Sequence, residues 1–249
     1  MSKEGQIRVG IGGWVFPPWR GTFYPKEVKQ ADELAYASRH VTAIEINGTF
    51  YRLQTPKSYR NWHDAAPDDF MFSLKGSRFI TYRNDLSTAA PFMERFFDSG
   101  MSELGPKLGP IIWQFMPSLQ FDEANTAAFL EALPRHLGNR PLRHVLEVRN
   151  ESFTHPAFAK LMEKHGAAIA QVEDPKVPLI ETITADFVYA RLRECKESEP
   201  TGYPPDALAA IAKRFQEHAK AGRDCFVYFI NGAKIRAPHA AMALIERFK

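Results

Sequence analysis

Val41-Thr42-Ala43-Ile44-Glu45-Ile46-Asn47-Gly48-Thr49-Phe50-Tyr51-Arg52-Leu53 opens with a β-branched run and closes on a glycine-led turn. Side chains alternate along a strand, so Ala43, Glu45 and Asn47 share one face while Ile44 and Ile46 share the other. One face is apolar and the other brings a carboxylate and an amide to the C-terminal end of the strand. Gly48-Thr49-Phe50-Tyr51 then adds a hydroxyl and two aromatic rings just beyond, where α/β folds place their ligand sites.

Working outward, similar runs recur through the chain with helical patterns between them, the mark of a parallel sheet with crossover helices. Strands are expected near Ile7–Gly12, Val41–Asn47, Phe70–Lys75, Pro110–Phe115, His144–Arg149, Ala167–Gln171, Phe187–Leu192 and Cys225–Ile230. Helices are expected near Ala31–Ser38, Pro56–Ala66, Ser87–Ser99, Asp122–His136, His155–His165, Pro204–Ala221 and Pro238–Phe248. Asp122 and the Pro204-Pro205-Asp206 step supply start signals for two of them. Only the link between the sixth and seventh strands looks irregular. Eight such units in 249 residues favour a closed (β/α)8 barrel, TIM-like and a single domain over residues 1–249, above an open doubly wound sheet.

Composition narrows the function classes. A net charge of +3 is too small for a dedicated nucleic-acid binder, and 45% hydrophobic with 24% charged residues is ordinary for a globular chain. Cys195 and Cys225 are the only cysteines and lie in no zinc-like spacing, so reduced thiols are expected. The polar start Met1-Ser2-Lys3-Glu4-Gly5 lacks a signal-peptide core and no apolar run is long enough to span a bilayer, which predicts a cytoplasmic protein with no membrane partner.

In a barrel the C-terminal strand ends converge on one mouth. Here they are unusually polar: Trp14 follows the first strand, Glu45 and Asn47 end the second, and Lys75 and Gln114 end the third and fourth. Glu147 and Arg149 end the fifth, Glu173 and Asp174 follow the sixth, Tyr189 and Arg191 lie on the seventh, and Asn231 follows the eighth, with Tyr51 beyond the second. Glu45 and Glu147 are therefore the candidate catalytic pair, since two carboxylates with different environments support glycoside hydrolysis or proton transfer. Lys75, Arg149 and Arg191 would orient a small polar, anionic ligand, arginine by its planar fork and lysine by its point charge. The competing account is an ion-pair network in which these three cations neutralise the two acids.

No GxGxxG fingerprint, phosphate loop, GxSxG elbow or HExxH pair is present, so no cofactor is named by any motif and no metal ligands are expected. His40, His63, His136, His144, His155, His165, His218 and His239 fall mostly on or beside helices, where surface or capping roles are expected. The first loop, Gly13 to Pro25, holds Trp14, Phe16, Trp19, Phe23 and Tyr24 with three prolines. It reads either as a stacking surface for bases or sugars or as a lid packed on the barrel rim. Stacking, joined to Arg78, Arg83, Lys234 and Arg236, would make nucleic acid the alternative partner; a non-catalytic binding barrel is a third reading.

Taken together, Gly10-Ile11-Gly12-Gly13-Trp14 with Trp19, Gly21, Phe23, Tyr24 and Pro25, then Glu45-Ile46-Asn47-Gly48-Thr49-Phe50-Tyr51-Arg52, resemble the YecE-like family, a domain of unknown function numbered seventy-two. Phe72-Ser73-Leu74-Lys75, Gln114-Phe115 with Pro117, and Glu147-Val148-Arg149 continue the resemblance over nearly the whole chain. It implies a TIM-barrel fold and names no activity. Where that family commonly has Arg-Leu-His-Gly and Phe-Asn-Asn, this chain has Arg191-Leu192-Arg193-Glu194 and Phe229-Ile230-Asn231, so a histidine-dependent role is not expected here.

Overall fold

In the computed structural model, which describes residues 3–249, strand β1 (Ile7–Gly12) lies between β2 (Ala43–Ile46) and β9 (Asp224–Phe229), parallel to both. The sheet continues through β3 (Met71–Lys75), β4 (Leu108–Gln114), β5 (His144–Glu147) and the short β6 (Ala168–Ile169) on one side. On the other side it runs through β8 (Phe187–Leu192) to β7 (Gln171–Glu173). All neighbours are parallel, in the order β6-β5-β4-β3-β2-β1-β9-β8-β7. The result is a nearly closed, TIM-barrel-like sheet of nine strand segments whose two end segments are separated along the chain by Ala170 alone.

That break departs from the expected unbroken strand over Ala167–Gln171. β6 pairs with β5 through Ala168 and Ile169, whereas β7 pairs with β8 through Gln171, Val172 and Glu173. Most other strand boundaries follow the sequence reading within a residue or two, but the helix expected over Asp122–His136 ends at Ala132, and His136–Leu137 instead pairs antiparallel with Arg140–Pro141. Thr55 accepts a hydrogen bond from the Ser58 amide at the start of helix Pro56–Ala65, and Asp122 caps helix Glu123–Ala132 through the Asn125 amide. Helix Pro156–His165 stops at Gly166, whose φ of 62° suits a residue without a Cβ. Expected helices shorten where 3-10 turns intervene: Gln30–Asp32 precedes Glu33–Ala37, and Leu86–Ala89 precedes Ala90–Phe97. No helix lies between β7 and β8.

Strand alternation divides the core into two layers. Ile44, Ile46, Leu146 and Val148 belong to the outer layer, packed with helix side chains such as Phe158, Leu208 and Phe215. Inside the barrel, Ala43, Ile112, Val145, Phe187 and Phe226 form an apolar floor, and Tyr189 and Tyr228 stand above it. The Tyr228 hydroxyl meets Ser73 Oγ at 2.7 Å across the interior. Gly10 is required for this close packing, because a Cβ there would come within 2.0 Å of the Ala43 carbonyl oxygen. With the floor filled by aromatic rings, the polar inward residues are left at the C-terminal end.

Candidate functional site

Three inward positions near the strand ends build the centre of the mouth: Glu45 on β2, Glu147 on β5 and Arg191 on β8, all buried. The Arg191 guanidinium donates from Nη2 to Glu45 Oε1 at 3.0 Å and from Nε to Glu45 Oε2 at 3.1 Å. Its other terminal nitrogen, Nη1, donates to Glu147 Oε2. Tyr189, two residues earlier on the same face, donates its hydroxyl to Glu45 Oε2 at 2.7 Å. Glu147 Oε1 accepts from Gln114 Nε2 at 2.7 Å and from Arg149 Nε at 2.8 Å. One arginine thus joins two acids from distant strands, and both acids use their oxygens on protein donors.

The electrostatics follow from those contacts. Burial pushes the Glu147 carboxyl up, but the Arg191 and Arg149 guanidiniums, Arg149's hydrogen bond and the Lys75 ammonium outweigh it and hold the pKa at about 2. Burial lowers Arg191, yet Glu147 and Glu45 more than restore it and raise its pKa above the usual arginine value. Tyr189 is raised well above 10 by burial and then by Glu45, so its hydroxyl stays a donor. Lys75 is lowered to about 8, first by burial and then by Arg191, with Glu45 and Glu147 opposing. Glu147 is therefore an ionised acceptor at neutral pH and has no proton to give.

Above this network opens a cavity of about 680 Å³. Asn47, Lys75, Gln114, Arg149, Arg191 and Asn231, expected at the strand ends, line it together with Trp14 and Tyr51, expected at its rim. Glu45, Glu147 and Tyr189 do not reach it; they lie beneath as the layer that holds Arg191. Asn231 takes φ 67°, the only positive-φ residue other than glycine among those described, and thereby turns the chain off β9 at the rim.

The cavity also uses residues that the sequence reading did not assign to the mouth. Arg193 continues the inward face two positions after Arg191 and pairs with Asp174 at 2.6 Å; its parity was the available signal. Arg52, Gln54 and Lys234 arrive from loops, and Trp62 arrives from helix Pro56–Ala65, where it packs edge-on against Trp14 at 5.5 Å. No local pattern marks these. Six basic side chains, Arg52, Lys75, Arg149, Arg191, Arg193 and Lys234, line the cavity and no carboxylate does.

The first loop is a packed lid. Trp19, Phe23 and Tyr24 are buried, and the loop is pinned by Trp19 Nε1 donating to the Lys234 carbonyl at 2.9 Å, the Tyr24 hydroxyl to the Trp14 carbonyl at 2.6 Å and Arg20 to Glu33 at 2.6 Å. Those three rings are closed to a stacking ligand. Among the histidines His144 departs from the expected surface role: it is buried, accepts from Trp113 Nε1 at 3.1 Å through Nδ1 and meets the Pro134 carbonyl through Nε2 at 2.8 Å. Burial lowers its pKa to about 4 and keeps it neutral.

A cavity of about 790 Å³ lies at the opposite end of the barrel, but its Arg143 is paired with Asp224 at 2.8 Å and its Arg140 reaches the Leu108 carbonyl. Its lining carries both signs of charge, Arg140 and Arg143 with Asp186, whereas every charged side chain lining the mouth is a cation, although Arg149, Arg191 and Arg193 also pair with acids beside or beneath it. Among the described residues no three His, Cys, Asp or Glu side chains converge to hold a metal ion. No helix among them is long and apolar enough to cross a membrane.

Comparison with known proteins agrees with this architecture. Residues 8–249 match the family described as "Protein of unknown function DUF72". The UPF0759 protein YunF of Bacillus subtilis is 24% identical over 180 residues, 69% of this chain and 62% of its own, so the match spans less than two thirds of that relative. The UPF0759 protein YecE of Escherichia coli is 26% identical over 206 residues, 72% of this chain and 71% of its own. Among solved structures, a DUF72 family protein from Thermotoga maritima superposes with a TM-score of 0.78 at 23% identity, over 98% of this chain and 99% of that one. At that identity the likeness is one of fold.

Proposed function

The chain belongs to the DUF72 family, and on that premise we propose that its barrel mouth binds a small anionic molecule carrying a carboxylate or phosphate group. One observation carries this reading: six cations and no carboxylate line the cavity. Arg149 and Arg193 supply planar forks, Lys75 a point charge, and Trp14 and Tyr51 an aromatic rim. Glu45 and Glu147 enter as the pair that fixes the Arg191 fork in place. In proton transfer Glu147 would act only as a weak base, given its pKa of about 2. We take β6 and β7 as one stave interrupted at Ala170, which makes the chain a single eightfold barrel domain, and we place it in the cytoplasm, in keeping with two free, buried cysteines.

The test is thermal unfolding with phosphate, sulfate and small mono- and dicarboxylates, each against chloride at matched ionic strength. A ligand present at 100 times its Kd raises stability by about 2.7 kcal/mol. The expected result is such a rise for at least one anion class, lost in Arg149→Met. Equal shifts from chloride and from every organic anion would reject the reading.

A second reading rests on a separate observation. Tyr51 (61% exposed) and Phe79 (53%) flank Arg78, whose guanidinium lies 5.9 and 5.4 Å from their rings, and Arg83 sits 4.5 Å over Phe92. Exposed rings interleaved with arginines suit single-stranded nucleic acid. Steeply salt-dependent oligonucleotide binding, weakened in Phe79→Ala, would favour it.

A further inference from the structure

Two lysines are buried in this barrel, and they differ in what holds them. Lys107 donates to the carbonyls of His63 and Ala66, both at 2.7 Å, and lies 3.7 Å from Asp68. Its ammonium is satisfied and its role is structural. Lys75, only 7% exposed, has no hydrogen bond or ion pair among the described residues; its one close partner is the face of Phe50, whose centroid lies 4.1 Å from Nζ. The carboxylates nearby do not compensate, since Glu45 is taken by Arg191 and Tyr189 and Glu147 by Arg191, Arg149 and Gln114.

The placement is held firmly. Lys75 is the last residue of β3 and points inward in register with Ile112. The helical turn Gly48–Tyr51, which carries Phe50, is tied to the same strand end by the Thr49 hydroxyl, 2.7 Å from the Lys75 carbonyl oxygen. An amine on an anchored strand end, with no acceptor among the described residues, thus opens onto a cavity whose other charged groups are all cations.

We propose that Lys75 is a covalent amine, forming an imine with the carbonyl carbon of a small anionic aldehyde or ketone, such as a 2-oxo acid or a phosphorylated keto-triose. This rests on the anion-binding reading, because the arginines are needed to hold the anionic group while the carbonyl reaches Nζ. The ammonium first gives a proton to water; the nitrogen lone pair then attacks the carbonyl carbon, and the carbonyl π pair moves to oxygen, which takes up a proton. The nitrogen gives up one proton as the oxygen gains one, the hydroxyl of the carbinolamine so formed takes a proton from solvent and leaves as water, and the resulting iminium returns its remaining N–H proton to solvent. The sum is amine plus carbonyl giving imine plus water, with nothing oxidised or reduced. Burial and neighbouring cations are the two known means of keeping a lysine partly neutral, and a pKa of about 8 leaves roughly a tenth of Lys75 as free amine at pH 7.

The experiment is reductive trapping on the intact protein. It is incubated with pyruvate, glyoxylate or dihydroxyacetone phosphate and sodium cyanoborohydride, followed by intact mass and peptide mapping. Lactate and glycerol 3-phosphate, which carry the same anionic groups without a carbonyl, are measured in parallel by thermal shift. The expected result is one adduct per chain on Lys75, at least tenfold above any other lysine, suppressed by the matching carbonyl-free anion and absent in Lys75→Arg. Suppression is read on the unaltered protein, so it stands even if Lys75→Arg folds poorly. Labelling spread over surface lysines overturns the proposal. Carbonyl-free anions that bind at the mouth and lose affinity in Arg149→Met, with no Lys75 adduct from any carbonyl compound, overturn the imine and leave the anion site standing. Absence of binding by every anion removes both.

Discussion

Arg191 and Glu45 form a two-pronged ion pair, Nη2 to Oε1 at 3.0 Å and Nε to Oε2 at 3.1 Å, with neither side chain more than 3% exposed. Such a pair needs a planar fork, and a lysine ammonium could meet one oxygen at most. Arg191→Lys is therefore not conservative, and Arg191→Met leaves Glu45 and Glu147 facing each other without a shared cation. Breaking a buried pair costs about 3–5 kcal/mol. The expected outcome is a drop in Tm of roughly 10 °C for Arg191→Met. An unchanged Tm would mean that the fork does not hold the barrel mouth together.

Glu147→Gln tests the acid from the other side. Gln keeps the size but gives Arg191 and Arg149 no charge to meet, so a loss of about 3 kcal/mol is expected at neutral pH. The pH dependence has a definite sign. With the folded pKa near 2, below the ordinary 4.5, Glu147 contributes stability in full above pH 4.5 and loses it as pH falls towards 2. Urea unfolding from pH 6 to 2.5 should show the Glu147→Gln curve converging on that of the unaltered protein at the acid end. Parallel curves would contradict the assignment.

His144 governs a higher window. Its folded pKa of about 4 lies below the usual 6.5, so its contribution is complete above pH 6.5 and disappears as pH falls to 4, where the unfolded chain takes the proton more readily. A shift of this size corresponds to ~3 kcal/mol at most. In His144→Gln the decline in Tm between pH 6.5 and 4 should flatten; an identical slope would place the titration elsewhere.

Ile46 is buried in the outer core layer beside the helices. Ile46→Ala should cost about 2–5 kcal/mol, as other large-to-small core changes do. A measured cost below about 0.5 kcal/mol in urea unfolding would place it outside the packed layer.

Much of this molecule could be read before folding because strand parity is a local property. The alternation that separates Glu45 from Ile44 and Ile46 also sorts Glu147 from Leu146 and Val148, so both the outer layer and the inward polar positions are visible in short windows. What parity does not carry is who meets whom. Glu45 and Glu147 share Arg191 because a curled sheet brings β2, β5 and β8 to one axis, and that closeness arises only from the tilt and stagger of the whole ring. For the same reason the depth order was hidden: Tyr189 and the two acids lie below the cavity floor, while Arg193, two inward positions beyond Tyr189 and just past the end of β8, reaches the opening. Trp62 was invisible for a different cause, since it enters from a helix whose periodicity marks it as an ordinary packing residue.

The interruption at Ala170 gives the nearly closed sheet a clasp. Ala168 and Ile169 hold one neighbour and Gln171 to Glu173 hold the other, so two halves of one short segment carry a load that full-length strands carry elsewhere. The Ala170 amide extends the first half's hold on β5 by donating to the Leu146 carbonyl at 2.9 Å. Val172, within the clasp, lies in register with Arg191. The seam thus lies beside the cation at the centre of the mouth, so a change that opens the clasp is expected to disturb the Arg191 fork as well.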